Sequence, residues 1–237
     1  QAARGVPVVV FFDEMDSLFR VRGSGLSSDV ETTIVPQLLT EIDGVEQLDN
    51  VMVVGATNRE DMIDPAVLRP GRLDVKIRID RPDREGAREI FSLYLTEDLP
   101  LRDEDVARAG SRARAAQELV SAAVERMYAR EPGTEFLSIA YRDGTHETLY
   151  FSDYASGAVI RNVVDRAKKQ AVKTLLTTGR RGITAQHLVV AVDEEFHEQQ
   201  DLPNTEDPED RARLTGRRAD SIESVRMVTH RADAAGE

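Results

Sequence analysis

The sequence predicts an α/β fold: part of a parallel sheet with helical cover, followed by a mostly helical smaller domain that carries a β-hairpin insert. Three observations carry this reading. Two short apolar runs, Val8–Phe12 and Val51–Gly55, end in Asp13-Glu14 and in Ala56-Thr57-Asn58. From Arg84 onward the apolar spacing becomes that of helices. A central Asp143-Gly144 pair separates two β-patterned stretches.

In chain order, residues 1–6 form a polar lead-in. Val8–Phe12 is continuously apolar, as expected of a strand buried on both faces of a parallel sheet. Ser28 and Glu31 fit a capping box that opens a helix to about Asp43, with Pro36 as a kink and Gly44 as a stop. Val51–Gly55 is a second buried strand. Asp74–Ile79 reads as a third, because Val75, Ile77 and Ile79 alternate with charged residues. A doubly wound sheet needs about five strands, so its first strands are expected upstream of Gln1. Residues 84–95 read as a helix, and 104–130 as one long alanine-rich helix with Leu119, Val120, Ala123, Val124 and Met127 on one side. Phe136–Phe151 reads as a hairpin. Ser156 caps a helix to Thr178 whose stripe is Val159, Ile160, Val163, Val164, Ala167, Ala171, Val172, Leu175 and Leu176, closed by Gly179. Thr184 opens a last helix to about Gln199, and 221–229 reads as a short strand or helix. The expected domains are 1–82, a partial large α/β domain; 83–200, a helical small domain with an insert near 104–151; and 201–237, a partly disordered extension.

Composition narrows the function classes. The chain has 237 residues, one large or two modest domains at about 150 residues each. Its formal net charge of −12 is wrong for general nucleic-acid binding, which needs basic surface. The absence of cysteine excludes disulfides, thiolate zinc sites and cysteine nucleophiles. His146, His187, His197 and His230 lack metal-ligand spacing. No apolar run reaches the roughly 18 residues of a membrane span, and residues 1–30 do not read as a signal peptide. No nucleic-acid or membrane partner is expected, and the cytoplasm is the expected location.

Two adjacent carboxylates delivered by a buried strand lie where α/β sheets bind ligands. Asp13 can hold a hydrated Mg²⁺, and Glu14 can orient and deprotonate a water. That pairing suits nucleoside triphosphate hydrolysis, where catalysis is mostly positioning and charge neutralisation. Asn58, an uncharged amide at the next strand end, can hold the attacking water or sense a γ-phosphate. Arg69 and Arg72 flank a Pro-Gly bend and can reach a neighbour's phosphate. A phosphate-cradling G-x-x-x-x-G-K-[ST] does not occur: the four lysines, at 76, 168, 169 and 173, follow no glycine.

The run from Val8 to Ile79 resembles the AAA family of ring-forming ATPases. Val-Val-Val-Phe-Phe-Asp13-Glu14 looks like its Walker B strand, Gly55-Ala-Thr-Asn58-Arg59 like sensor 1, and Asp64-Pro65 to Arg69-Pro70-Gly71-Arg72 like the segment that carries arginine fingers. Residues 13–29 and the insert with the 136–151 hairpin resemble the actinobacterial proteasomal branch, over nearly the whole chain. The resemblance implies ATP and Mg²⁺ as cofactors. It implies Asp13 as the Mg²⁺ residue through water, and Glu14, Asn58, Arg69 and Arg72 as catalytic, the arginines acting in trans. It places a second pore loop at Arg22, Gly23, Ser24 and Gly25. It places Gly157 and Ala158, where related proteins carry a sensor 2 arginine, against the adenine end of the nucleotide. It further implies a homohexamer that unfolds Pup-tagged proteins for a 20S proteasome. The phosphate loop, first pore loop and Pup-recognising elements would precede Gln1. The family commonly ends in a docking Gln-Tyr-Leu, whereas this sequence ends Ala234-Ala235-Gly236-Glu237. Little or no ATPase activity is expected of these 237 residues alone. A non-catalytic assembly or regulatory subunit, and an AAA remodeller of other complexes, are the alternatives; the insert at 104–151 favours the proteasomal branch.

Overall fold

The computed structural model describes residues 5–19, 40, 50–201 and 222–228. Apart from residue 40, the helix expected over 28–43 lies outside the described residues, as do the loop at 22–25 and the stretches 202–221 and 229–237. The chain divides into two compact units, residues 1–79 and 80–237.

In the first unit, β1 (Val8–Phe12) and β2 (Val51–Gly55) pair in parallel, in register from Val8 opposite Val51 to Phe12 opposite Gly55. A short helix, α1 (Met15–Leu18), follows β1 directly. Met15, Phe19, Ile63 and Val67 form a small core, with Phe12, Leu68 and Leu73 packed against it. Phe12 and Phe19 meet edge to face at 6.0 Å.

Two expectations for this unit are corrected. The strands are not buried on both faces: Val9, Phe11 and Met52 are 65%, 60% and 62% exposed. Successive side chains of a strand point to opposite faces, and the described residues supply a covering layer on one face only. Asp74–Ile79 is not a strand. A strand is defined by a ladder of hydrogen bonds to a neighbour. No described strand pairs with this segment, and Val75, Ile77 and Ile79 face solvent. Lys76 bonds the carboxylate of Glu60 at 2.8 Å and holds it below the usual carboxylate range.

The second unit holds the larger core. Asp83 caps α2 (Arg84–Tyr94) by accepting from the Gly86 N–H at 2.7 Å. The long helix expected over 104–130 is two helices, α3 (Asp103–Ala109) and α4 (Arg112–Met127). Gly110 ends the first in the left-handed conformation, φ +82°, and the Ser111 hydroxyl starts the second. The anticipated stripe on α4 is buried and gains Ala115 and Ala116.

The hairpin forms between β3 (Glu135–Tyr141) and β4 (His146–Tyr150). In its turn Gly144 takes φ +84°, and Asp143 Oδ1 accepts from both the N–H and the hydroxyl of Thr145. A third strand, β5 (Ile222–Met227), pairs antiparallel with β3, so the sheet order is β4-β3-β5. Helix α5 (Gly157–Thr178) starts at the Ser156 cap and ends at Gly179. Its stripe is buried only at Ile160, Val163, Val164 and Ala167. Val172, Leu175 and Leu176 are exposed. Helix α6 (Ala185–Asp201) packs against α4 and α5. Phe136, Phe151 and Phe196 meet where these helices face the hairpin.

Candidate functional site

The parallel register decides where the polar residues go. With Phe12 opposite Gly55, both strands leave the sheet at the same edge. Asp13-Glu14 and Ala56-Thr57-Asn58 therefore emerge side by side, at the carboxyl end where such sheets bind ligands. The Ala56 N–H donates to the Phe12 carbonyl at 2.8 Å, and the Met15 N–H donates to the Ala56 carbonyl at 2.9 Å. The two connections are thus laced together beyond the last ladder pair.

The turn after β1 has an unusual backbone. Among the described residues, Glu14 alone of the non-glycines has a positive φ, at φ 49° and ψ 49°. Its N–H donates to Asp13 Oδ1 at 2.9 Å, and its carbonyl accepts from the Ser17 N–H at 2.9 Å. A non-glycine residue persists there only when its surroundings hold it. Met15 is one anchor. It is 4% exposed and tucks beneath Gly55, where a Cβ would fall 1.9 Å from its sulfur. Asp16 is another: its carboxylate accepts from the Thr57 hydroxyl at 2.6 Å.

Asp13, Glu14 and Asn58 are all exposed at this edge. Asp13 is a hard oxygen donor of the kind Mg²⁺ takes, one or two carboxylates being enough when waters and phosphates complete the shell. The donor set fits that ion. No cluster of three or more potential metal ligands occurs among the described residues.

The arginine segment folds as a tight loop. The Asp64 N–H donates to the Phe19 carbonyl at 2.7 Å, and Asp64 Oδ1 accepts from the Ala66 N–H at 2.8 Å. Gly71 takes φ +84° in the Pro-Gly bend. The two arginines differ. Arg69 is exposed, whereas Arg72 is half-buried and donates to the Ala66 carbonyl at 2.7 Å, which bolts the loop to itself. In the second unit Gly157 and Ala158 form the exposed first turn of α5. A Cβ on Gly157 would meet nothing within 4 Å, so packing within the unit does not demand glycine there. The loop at Arg22, Gly23, Ser24 and Gly25 is outside the described residues. A cleft of about 410 Å³ in the second unit is lined by Arg81, Asp83, Tyr128, Arg130 and Asp153, none of them a sequence-derived candidate. Burial, then Asp83 and Asp153, pushes the Tyr128 hydroxyl up to about 12.

Sequence reasoning missed Gly55, Met15, Asp16 and Thr57. The available signal was weak: a threonine before the strand-end amide, and a further acid three residues after Asp13.

The first unit thus presents an acid pair and an amide at one sheet edge, and a largely helical unit follows it in sequence. Residues 1–81 match the ATPase family associated with various cellular activities (AAA). Residues 82–237 match the ARC, AAA+ ATPase lid domain. The chain belongs to the AAA ATPase family, in the branch with this lid. It is 90% identical over 231 residues to the "AAA ATPase forming ring-shaped complexes" of Kocuria rhizophila, covering 98% of this chain and 40% of the relative. It is 59% identical over 237 residues to the "Proteasome-associated ATPase" of Sanguibacter keddieii, covering 100% and 41%. The protein of the same description in Mycolicibacterium vanbaalenii is 56% identical over 237 residues, covering 99% and 38%. The chain thus spans about two fifths of the length of these relatives. No helix among the described residues is long and apolar enough to cross a membrane.

Proposed function

We propose that this chain is the Walker B-to-lid portion of a ring-forming, ATP-dependent protein unfoldase that delivers Pup-tagged proteins to a 20S proteasome. The observation that supports it best is the β1–β2 register, which sets Asp13, Glu14 and Asn58 at one sheet edge. The relatives described as ring-forming and proteasome-associated support the assembly and the partner. ATP bound with Mg²⁺ supplies the phosphoanhydride and the positive charge that offsets its developing negative charge. Asp13 would hold the metal through water. Glu14 accepts a proton from the attacking water, and Asn58 orients that water. Arg69, exposed on its loop, reaches an adjacent subunit in a homohexamer. Arg72 stiffens that loop and adds a second cation. Gly157 and Ala158 offer bare backbone to the base of the nucleotide. Arg22, Gly23, Ser24 and Gly25 serve as the second pore loop.

The test is ATP turnover and degradation of a Pup-tagged substrate by the full-length protein together with its 20S particle. Glu14→Gln is expected to retain ATP binding while hydrolysis falls by about 10²-fold or more, with degradation lost in parallel. Wild-type turnover by Glu14→Gln would refute the assignment of the site. Normal ATPase activity without degradation of tagged protein would refute the proteasomal client and leave an AAA remodeller of other complexes.

A further inference from the structure

The turn that carries Glu14 is held from outside. A left-handed non-glycine residue stores about 1–3 kcal/mol that its surroundings must offset, and the surroundings here are mostly the exit of β2. Met15 is clamped through its N–H to the Ala56 carbonyl and through its side chain to the bare face of Gly55. Asp16 closes the arrangement, because its carboxylate accepts a hydrogen bond from the Thr57 hydroxyl at 2.6 Å. The same Thr57 oxygen accepts the Arg59 N–H at 3.0 Å. A hydroxyl has one proton. Once donated to Asp16, it fixes the Thr57 rotamer and, with the Arg59 contact, the backbone on both sides of Asn58. Asp16 is two residues from Glu14, and Thr57 is next to Asn58. The bond therefore ties the acid turn to the amide turn across 41 residues of sequence.

We infer that Asp16 and Thr57 form a positioning latch that sets the spacing between Glu14 and Asn58 for the hydrolytic step. The inference rests on the proposed reading of that edge as an ATP-hydrolysing site. Neither residue is assigned contact with the reacting atoms. Asp16 acts on Glu14 through the turn, and Thr57 acts on Asn58 through the backbone. Charge matters as well as shape, since a hydrogen bond to an ionised acceptor is roughly twice as strong as a neutral one.

The experiment measures steady-state ATP hydrolysis, nucleotide affinity and melting temperature of the full-length protein. Asp16→Ala, Thr57→Val, the double variant and Thr57→Ser are compared with Glu14→Gln. A misplacement of the two turns is expected to lower kcat by about tenfold or more in Asp16→Ala and in Thr57→Val. KM for ATP and nucleotide affinity should stay within about twofold, because the latch shapes the chemical step rather than binding. Thr57→Ser, which keeps the hydroxyl, should restore most of the rate. The double variant should be no slower than either single one, since both remove one bond. A wild-type kcat in both Asp16→Ala and Thr57→Val overturns the latch, as does rate loss that is multiplicative in the double variant. Should Asp16→Ala melt early, Thr57→Val and its serine partner decide the matter: equal kcat in the two overturns the latch. If Glu14→Gln is inactive while Asp16→Ala and Thr57→Val are fast, the latch alone fails. If Glu14→Gln is itself fast, the reading on which the latch rests fails.

Discussion

Arg166→Ala is expected to destabilise the lid unit by about 3–5 kcal/mol, because it strands a carboxylate in the interior. Glu195 is 2% exposed and accepts from Arg166 Nε at 2.9 Å. Its other donors are neutral and distant, Asn162 Nδ2 at 3.4 Å and Gln199 Nε2 at 3.3 Å. They cannot replace a guanidinium. Arg166 also pairs with the more exposed Glu198, a contact that solvent screens and that adds little. For a unit of this size each kcal/mol moves the melting temperature by about 2–4 °C, so a drop of roughly 10 °C is expected. The assay is urea unfolding of residues 80–237, which have their own core, followed by far-UV circular dichroism at pH 7. Exchanging both partners for methionine removes the buried charge with its counter-ion and should recover most of the loss. Asn162 and Gln199 reach solvent and can turn to water. A loss below about 1 kcal/mol in Arg166→Ala, or a double exchange as unstable as the single one, would refute the reasoning.

Three further outcomes follow from single positions. Gly55→Ala drives a Cβ to 1.9 Å from the Met15 sulfur, so Met15 leaves its pocket at a cost of about 2 kcal/mol; denaturant unfolding should show this penalty largely absent when Met15 is already alanine. Gly182 has φ +111°, and a Cβ there would lie 2.5 Å from the backbone nitrogen of Arg102. Gly182→Ala should therefore cost about 3 kcal/mol, through strain and through separation of the two segments bridged at Leu101 and Ile183, read as a shift in urea midpoint. His187 receives the Thr184 N–H on Nδ1 at 3.2 Å, which requires that nitrogen to be unprotonated, and its Nε2 faces the Thr174 hydroxyl at 3.1 Å. Burial, then the Arg102 charge, lowers its pKa below 6.5. The folded state thus binds this proton less readily than the unfolded one. The contribution is full above 6.5 and is lost as pH falls through the folded-state value. His187→Asn should flatten that part of the unfolding free energy between pH 7.5 and pH 5, and an unchanged slope would refute it.

Several of the exposed apolar side chains lie on β1, β2 and α5. The outer faces of β1 and β2 together expose Val9, Phe11, Met52 and Val54, and the second half of α5 exposes Val172, Leu175 and Leu176. Their apolar patterning exceeds the burial found among the described residues. The misreadings came from that patterning. Val8–Phe12 reads as doubly buried because its residues are all apolar, but burial is a property of the layer opposite. Asp74–Ile79 has the alternation of a strand, but a ladder needs a second chain segment at about 4.8 Å.

What the sequence determined by itself is what neighbouring residues settle among themselves. The Ser156 cap, the glycine stop at 179, the Asp-Gly turn and the apolar stripe of α4 act within a few residues and were legible from local spacing, whereas the equally local Asp83 cap and the break at Gly110 and Ser111 were not read. The residue types of the candidate site, Asp13, Glu14, Asn58, Arg69 and Arg72, were legible for the same reason. Tertiary structure decided which of them stand together and what holds them. It bonded Asp16 to Thr57, placed Met15 under Gly55 and turned Arg72 onto its own loop. It also laid β5 along β3 from the far end of the chain. The physical reason is that these contacts join segments far apart in sequence, or turn on side-chain direction. Their free energy comes from register and packing, which no spacing along the chain encodes.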